Sequence, residues 1–350
     1  MTGLPDEAFW RGRRVLVTGH TGFKGAWLTM WLRRLGASVT GFGSPPAPPS
    51  LFTQARMDEL VEDLRGDVRD EGAVQEAVAG TRPAVVFHLA AQALVRRGLA
   101  DPPGTYATNV LGTAHLLAAV GDSAPVVCVT SDKCYAPRTG RCREDDPLGG
   151  RDPYSASKAA QELVAAAARE TGGVNVATAR AGNVIGGGDW AEDRLVPDLV
   201  RATRAGSALS VRHPSAVRPW QHVLCPLAGY LLLAERLTAS REYASAWNFG
   251  PDAADEVSVA ALVDAWPEPV TLRVAEQEAA ETGVLRLDSS RARTQLGWRP
   301  AWNLSAAIEA TAAWYAEVRD GADARQVTLA QIASYERAAR SERAATPARA

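Results

Sequence analysis

Residues Val15–Gly25 read VLVTGHTGFKG, an apolar run closing on Gly19, with Gly22 and Gly25 following at three-residue spacing. Directly after it comes AWLTMWLRRLG, Ala26 to Gly36, whose apolar residues recur at helical spacing and end on a glycine. Strand, tight turn and helix follow from that order. Glycines at such a turn let the backbone approach a pyrophosphate, whose charge is met by the unpaired N–H groups and positive dipole of the helix N-terminus. Gly19, Gly22 and Gly25 are therefore candidate contacts to a dinucleotide.

Outward from this turn, a second strand over Ala37–Phe42 runs into SPPAPPS, residues 44–50. Prolines exclude helix interior and inner strand there, which predicts a surface excursion over residues 43–57. The alternation then resumes with PAVVFHLAA (83–91), the helix-like NVLGTAHLLAAV (109–120), PVVCVTS (125–131), a helix over 153–171 and a strand over 174–184. Strands that are continuously apolar and separated by helices imply a doubly wound α/β fold with a parallel sheet covered on both faces. Beyond residue 185 the rhythm degrades into a helix (194–206), a strand (209–213) and two closing helices (305–319 and 327–339). The expected organisation is a Rossmann domain over 1–184, rejoined by about 214–250, a smaller C-terminal α/β substrate domain from 185–213 and 251–335, and a tail over 336–350.

Composition narrows the function classes. The 350 residues are 46% hydrophobic with a formal charge of −2, so no net basic field is available for nucleic acid. No apolar run approaches the roughly 20 residues of a membrane span, and the N-terminus lacks the basic-then-apolar order of a signal peptide, which predicts a cytoplasmic protein. Cys128, Cys134, Cys142 and Cys225 form no CxxC pair; they read as reduced thiols, and no metal site is expected. Of 38 basic residues only Lys24, Lys133 and Lys158 are lysines. Where arginine serves for generic cations, the remaining lysines are the ones whose compact, tunable charge is needed.

Two of those lysines fall among candidate catalytic groups. In DPYSASKAAQELV, Tyr154 and Lys158 lie four apart on a helix and share a face. A phenol with an ordinary pKa near 10 serves as a base at neutral pH only when a cation stabilises its phenolate. The fifth strand ends in VTSDKCY, placing Ser131, Asp132 and Lys133 at the carboxyl edge of the sheet, where open α/β folds bind ligands. The second strand ends in VTGFGSPP, with neither an acidic residue for ribose hydroxyls nor an arginine directly after Phe42 for a 2′-phosphate; NAD is favoured over NADP. Asp67 in LRGDVRD is placed either for an adenine contact or to cap the next helix, and Phe23, Ala90 and Asn109 are further candidate cofactor contacts.

Together these residues resemble the extended short-chain dehydrogenase/reductases and, among them, the CDP-glucose branch of the nucleotide-sugar 4,6-dehydratases. The resemblance runs over about residues 9–335, through FWRGRRVLVTGHTGFKGAWL, HLAAQALVR, TSDKCY, DPLGGRDPYSASK, AGNVIGGGDWAEDRLVPD, VRPWQHV, PLAGYLLLAE, WNFGP and LGWRPAWNL. Lysine at position 133, where the dTDP branch carries glutamate, points to CDP-glucose. The resemblance implies that NAD takes hydride from C4 of the hexose while Tyr154, assisted by Ser131, removes the 4-hydroxyl proton. Lys133 is then the C5 base, Asp132 protonates the departing 6-hydroxyl, and hydride returns to C6. It further implies that Asn183, Arg194 and Arg218 bind the nucleotide sugar and that the protein is a homodimer or homotetramer. The loop Ala136–Arg143, Ala280 and Cys225 depart from the family pattern. Another nucleotide-sugar 4,6-dehydratase, a nucleotide-sugar 4-epimerase and a non-catalytic dinucleotide-binding protein are the alternatives.

Overall fold

Seven parallel strands form the central sheet: β1 (Arg14–Thr18), β2 (Ser38–Gly43), β3 (Glu62–Arg65), β4 (Val85–His88), β5 (Val126–Val129), β6 (Val176–Ala181) and β7 (Ala246–Phe249). Their order is β3-β2-β1-β4-β5-β6-β7, every pairing parallel. The computed structural model describes residues 3–171, 173–275 and 284–345. The helices that matter here are α1 (Phe23–Arg34), α2 (Glu71–Thr81), α3 (Gly112–Val120), α4 (Pro153–Thr171), α5 (Leu195–Ala205), α6 (Leu224–Ala239), α7 (Leu304–Arg319) and α8 (Ala324–Ala345).

Side chains along a strand alternate between faces, and the sheet uses both. Val15, Val17, Val85, Phe87, Val127 and Trp247 pack into one core with Trp27 and Trp31 of α1 and with Leu227 and Leu231 of α6. Leu16, Val86, Val126 and Val176 pack into a second core with Val74 and Val78 of α2 and Leu116 and Leu117 of α3. That two-sided burial explains why these strands read as unbroken apolar runs. The doubly wound parallel fold is as the sequence predicts, and α4 spans the predicted residues.

Two local expectations are corrected. Residues 43–57 are not wholly a surface excursion: Leu51–Gln54 form a helical turn capped by Ser50, whose hydroxyl accepts from Thr53 N–H at 3.1 Å. Leu51, Phe52, Ala55 and Met57 are buried, because the chain after the prolines returns apolar residues to the core. Nor is 336–345 a frayed tail, since α8 continues to Ala345. Glu336 anchors it, accepting from Trp31 Nε1 at 2.9 Å and pairing with Arg34 at 3.0 Å.

After β6 the chain leaves the sheet, and small ladders form outside it: Val184–Ile185 with Gln221–His222, Leu209–Val211 with Leu272–Val274, and Val217–Pro219 with Glu256–Ser258. It then returns as β7 on the outer side of β6. Strand order reverses between β1 and β4, the switch point at which a crevice opens beyond the carboxyl ends of the strands.

Candidate active site

At that switch point Gly19 ends β1 with φ +74, a conformation that glycine adopts without strain, and a Cβ there would lie 2.6 Å from Ala90 N. A Cβ on Gly25 would lie 2.1 Å from the Gly19 carbonyl oxygen. Both glycines are thus required by close backbone packing. Gly22 is the N-cap of α1 and supplies no capping side chain, so the first N–H groups of the helix remain for an anionic ligand. This cradle fits the pyrophosphate of a dinucleotide.

A cleft of about 1800 Å³ extends from the cradle across the carboxyl ends of the strands. It is lined by Gly19, Gly22, Phe23, Gly25, Asp67 and Ala90 on the cofactor side, and by Ser131, Asp132, Lys133, Tyr154 and Lys158 at its middle. Asn183, Arg194 and Arg218 line it as well. Asn109 does not line it. That side chain is fully buried behind the wall, where Oδ1 accepts from Gln92 N–H and Nδ2 donates to the Gln92 carbonyl and Ser157 Oγ. Asn109 braces the backbone of Gln92, a lining residue. Asp67 is clamped by the Arg69 guanidinium, which holds its carboxyl below the usual range. No carboxylate ends β2; Asp63 of β3 stands beside it and accepts from His20 Nε2 at 2.8 Å.

The candidate catalytic groups Tyr154, Lys158 and Asp132 are desolvated. Burial drives the Tyr154 phenol up to about 12, opposed by its bond with Ser131 and by the Arg194 charge. Burial lowers the Lys158 ammonium to about 8. The ammonium donates to the Val129 carbonyl at 3.3 Å and to Gln161 Oε1 at 2.8 Å. Asp132 is held above its ordinary pKa by burial, against the charges of Lys133, Arg218 and Lys24 and the bond from Ser131. Its Oδ1 accepts from Ser131 Oγ at 3.0 Å, while Oδ2 is buried with no hydrogen-bond partner among the described residues. A carboxyl in that state is a proton donor awaiting an acceptor.

Across the cleft, Arg194 is oriented by Asp189 at 2.9 Å, and Asp189 is fixed through its carbonyl by the Tyr315 hydroxyl of α7. Arg218 is nearly buried and donates to the Val217 carbonyl. Asn183 lies just past β6, its carbonyl accepting from Gln221 N–H. The loop 136–143 contributes Ala136, Pro137, Arg138, Gly140 and Cys142 to the lining; Ala280 lies outside the described residues. All four cysteines are buried, and burial holds the Cys134 thiol well above its ordinary pKa, the state of an unreactive packing residue. Two groups in or beneath the cleft were not singled out for a site role from sequence. Lys24, lowered to about 7 by burial and by Arg194 and Lys158, was flagged only by the scarcity of lysines; Gln161 carried no signal at all.

With this geometry in place, comparison with known proteins is specific. Residues 15–248 match the NAD dependent epimerase/dehydratase family. The chain is similar to the CDP-glucose 4,6-dehydratase of Salmonella typhimurium, with 44% identity over 94% of this chain and 98% of that protein. It is also similar to the dTDP-glucose 4,6-dehydratase of Streptomyces griseus, with 30% identity over 86% of this chain and 93% of that one. Among solved structures, the dTDP-glucose 4,6-dehydratase of Streptomyces venezuelae, with NAD bound, superposes with a TM-score of 0.75 at 26% identity, covering 88% of this chain and 98% of that one. The glycine cradle, the Tyr154/Lys158 helix and the two-thirds of the chain that the family match spans agree: this protein belongs to the NAD dependent epimerase/dehydratase family.

Proposed function

We propose that the chain is an NAD-dependent nucleotide-sugar 4,6-dehydratase converting CDP-glucose to the 4-keto-6-deoxy sugar nucleotide. The observation that carries this reading is Asp132, a buried carboxyl with a raised pKa and an unpartnered oxygen, beside Lys133 and within the same cleft as Tyr154. A 4-epimerase needs the tyrosine but has no use for an acid–base pair next to it.

Gly19, Gly22, Phe23, Gly25 and Ala90 would hold NAD, which would supply reversible acceptance of hydride. Tyr154, with Ser131, takes the proton of the 4-hydroxyl. The resulting 4-ketone acidifies the C5 hydrogen, which Lys133 removes while Asp132 protonates the departing 6-hydroxyl; return of the hydride to C6 and of the proton to C5 then gives the 4-keto-6-deoxy sugar. Asp132 acts in the opposite proton state to the one it holds in water, which its burial favours. Arg194 and Arg218 offer guanidinium forks for the pyrophosphate of the substrate and Asn183 a further contact. Residues 185–213 and 251–335 form the substrate domain in this reading.

Assembly as a homodimer is supported by Leu99, Tyr106, Leu111 and Leu163, large apolar side chains between 41% and 60% exposed on 95–111 and on α4, segments that pack on one another. A cytoplasmic location agrees with the finding that no described helix is long and apolar enough to cross a membrane.

The test is mass spectrometry of enzyme, NAD and CDP-, dTDP-, UDP- or GDP-glucose in separate reactions. Loss of one water from CDP-glucose is expected. Loss only from another nucleotide would transfer the specificity while keeping the chemistry, and gluco–galacto exchange without water loss would overturn the dehydratase reading.

A further inference from the structure

Beneath Lys158 lies a chain of buried hydrogen bonds whose directions can be worked out one by one. The Thr113 hydroxyl spends its single hydrogen on the Asn109 carbonyl, at 2.7 Å. It must therefore accept from both of its other neighbours, His88 Nε2 at 2.9 Å and Gln161 Nε2 at 2.9 Å. The first acceptance fixes His88 as the Nε2–H tautomer, so its Nδ1 accepts from Thr18 Oγ1 at 2.7 Å. Thr18 Oγ1 in turn accepts from the N–H of Ala90, which lines the cofactor cradle, at 3.2 Å. The second acceptance fixes the Gln161 amide. Its nitrogen must face Thr113, so its oxygen must face Lys158, to which it lies 2.8 Å away. Thr18, His88, Thr113 and Gln161 are all fully buried, which shields these bonds from bulk solvent.

We propose that Gln161, locked by Thr113 and His88, is the positioning residue that holds the Lys158 ammonium at the cleft through a neutral acceptor. Neutrality is the point. A carboxylate in this place would cancel the lysine charge that Tyr154 requires, and an apolar residue would leave a buried ammonium short of an acceptor. Tyr154 shares the helix face of Lys158 one turn away, and the other charged or titratable groups that act on Lys158 are Glu162 of α4, Cys128 of β5, Cys134, His88 of β4 and Lys24 at the start of α1. Glu162 is already committed to Arg180, which leaves the Gln161 amide, beside the Val129 carbonyl, as the side-chain acceptor of the ammonium. The catalytic consequence rests on the dehydratase reading above; the hydrogen-bond role does not.

Because the sequence holds only three lysines, protein labelled with ¹³C at lysine Cε gives three side-chain signals, assignable with Lys24→Arg and Lys133→Arg. The Lys158 signal is expected to titrate near pH 8 in the parent protein. Gln161→Met, similar in size but without an acceptor, should shift it down by about one pH unit, and Gln161→Glu should shift it up. The alkaline limb of kcat/KM for CDP-glucose should move in the same two directions. Identical Lys158 titrations in all three proteins would overturn the proposal. Should Gln161→Met fail to fold, an unmoved Lys158 in Gln161→Glu would overturn it equally. Shifted titrations in a protein that does not dehydrate CDP-glucose would leave Gln161 in its role and remove only the dehydratase reading.

Discussion

Arg180 and Glu162 meet at 2.8 Å with both side chains under 5% exposed, a full ion pair under the floor of the cleft. Glu162 also accepts from Thr130 and from Thr178 Oγ1 at 2.7 Å. Arg180 reaches on to the Tyr135 hydroxyl and the Glu144 carbonyl, tying β6 to the segment that follows the Ser131–Lys133 turn. Glu162→Gln removes one partner of a buried pair and should cost about 3–5 kcal/mol in urea unfolding at pH 7. Burial pushes the Glu162 carboxyl up, but Arg180 and the two threonines outweigh it and hold it below its ordinary value. Its stabilisation is therefore complete above the unfolded pKa and is lost as pH falls through the folded one. The gap between parent and variant should shrink in acid.

Glu235 of α6 behaves in the opposite sense. One oxygen accepts from Asp6 N–H at 2.8 Å and Trp10 Nε1 at 2.7 Å, and burial pushes the carboxyl up to about 7. A raised acid destabilises the fold progressively as pH climbs from the unfolded value to the folded one. Glu235→Gln keeps the acceptor and removes the charge, so it should stabilise the protein by about 1–3 kcal/mol at pH 8 and by little at pH 4.5. Thermal unfolding at the two values checks this.

Asp132→Asn keeps the size of the side chain and removes the transferable proton. Dehydration of CDP-glucose should fall by about 10²–10⁴-fold, the usual contribution of a positioned general acid. Oxidation at C4, which depends on Tyr154, should persist, and rapid-quench product analysis distinguishes the two steps. Equal loss of both would remove Asp132 from the elimination step.

Gly25→Ala places a methyl group 2.1 Å from the Gly19 carbonyl oxygen. Backbone must shift to relieve it, at a cost of about 1–3 kcal/mol, and the shift falls on the cradle itself. NAD affinity by calorimetry should drop by more than tenfold, while Gly80→Ala, where a Cβ meets nothing within 4 Å, should leave it unchanged.

What could be read from sequence divides along physical lines. β1, α4 and the glycine turn were legible because strand alternation, helical spacing and turn chemistry are local, and the residues concerned are contiguous. The burial of Leu51 and Phe52 was not, since it depends on Gly188, whose Cβ would lie 2.8 Å from Leu51, a neighbour more than a hundred residues away. Gln161 was invisible for a related reason. Its partner Lys158 is three residues off, but the lock that orients it comes from Thr113 and His88 on other elements. Asn109 is a similar case: sequence marks it only as a candidate cofactor contact, while its bonds to Gln92 and Ser157 join it to residues that no local pattern pairs with it.

The late return of the chain as β7 sets a condition on dissecting this protein. Ala246–Phe249 pairs along β6 from Thr178 to Ala181, and every residue of β6 is buried. A fragment cut at residue 184 would expose that strand as a bare, six-residue, mostly apolar edge, the kind of surface on which chains stack into aggregates. The nucleotide-binding half is continuous as a surface but not as a gene segment, and a soluble minimal version must carry the chain through Phe249.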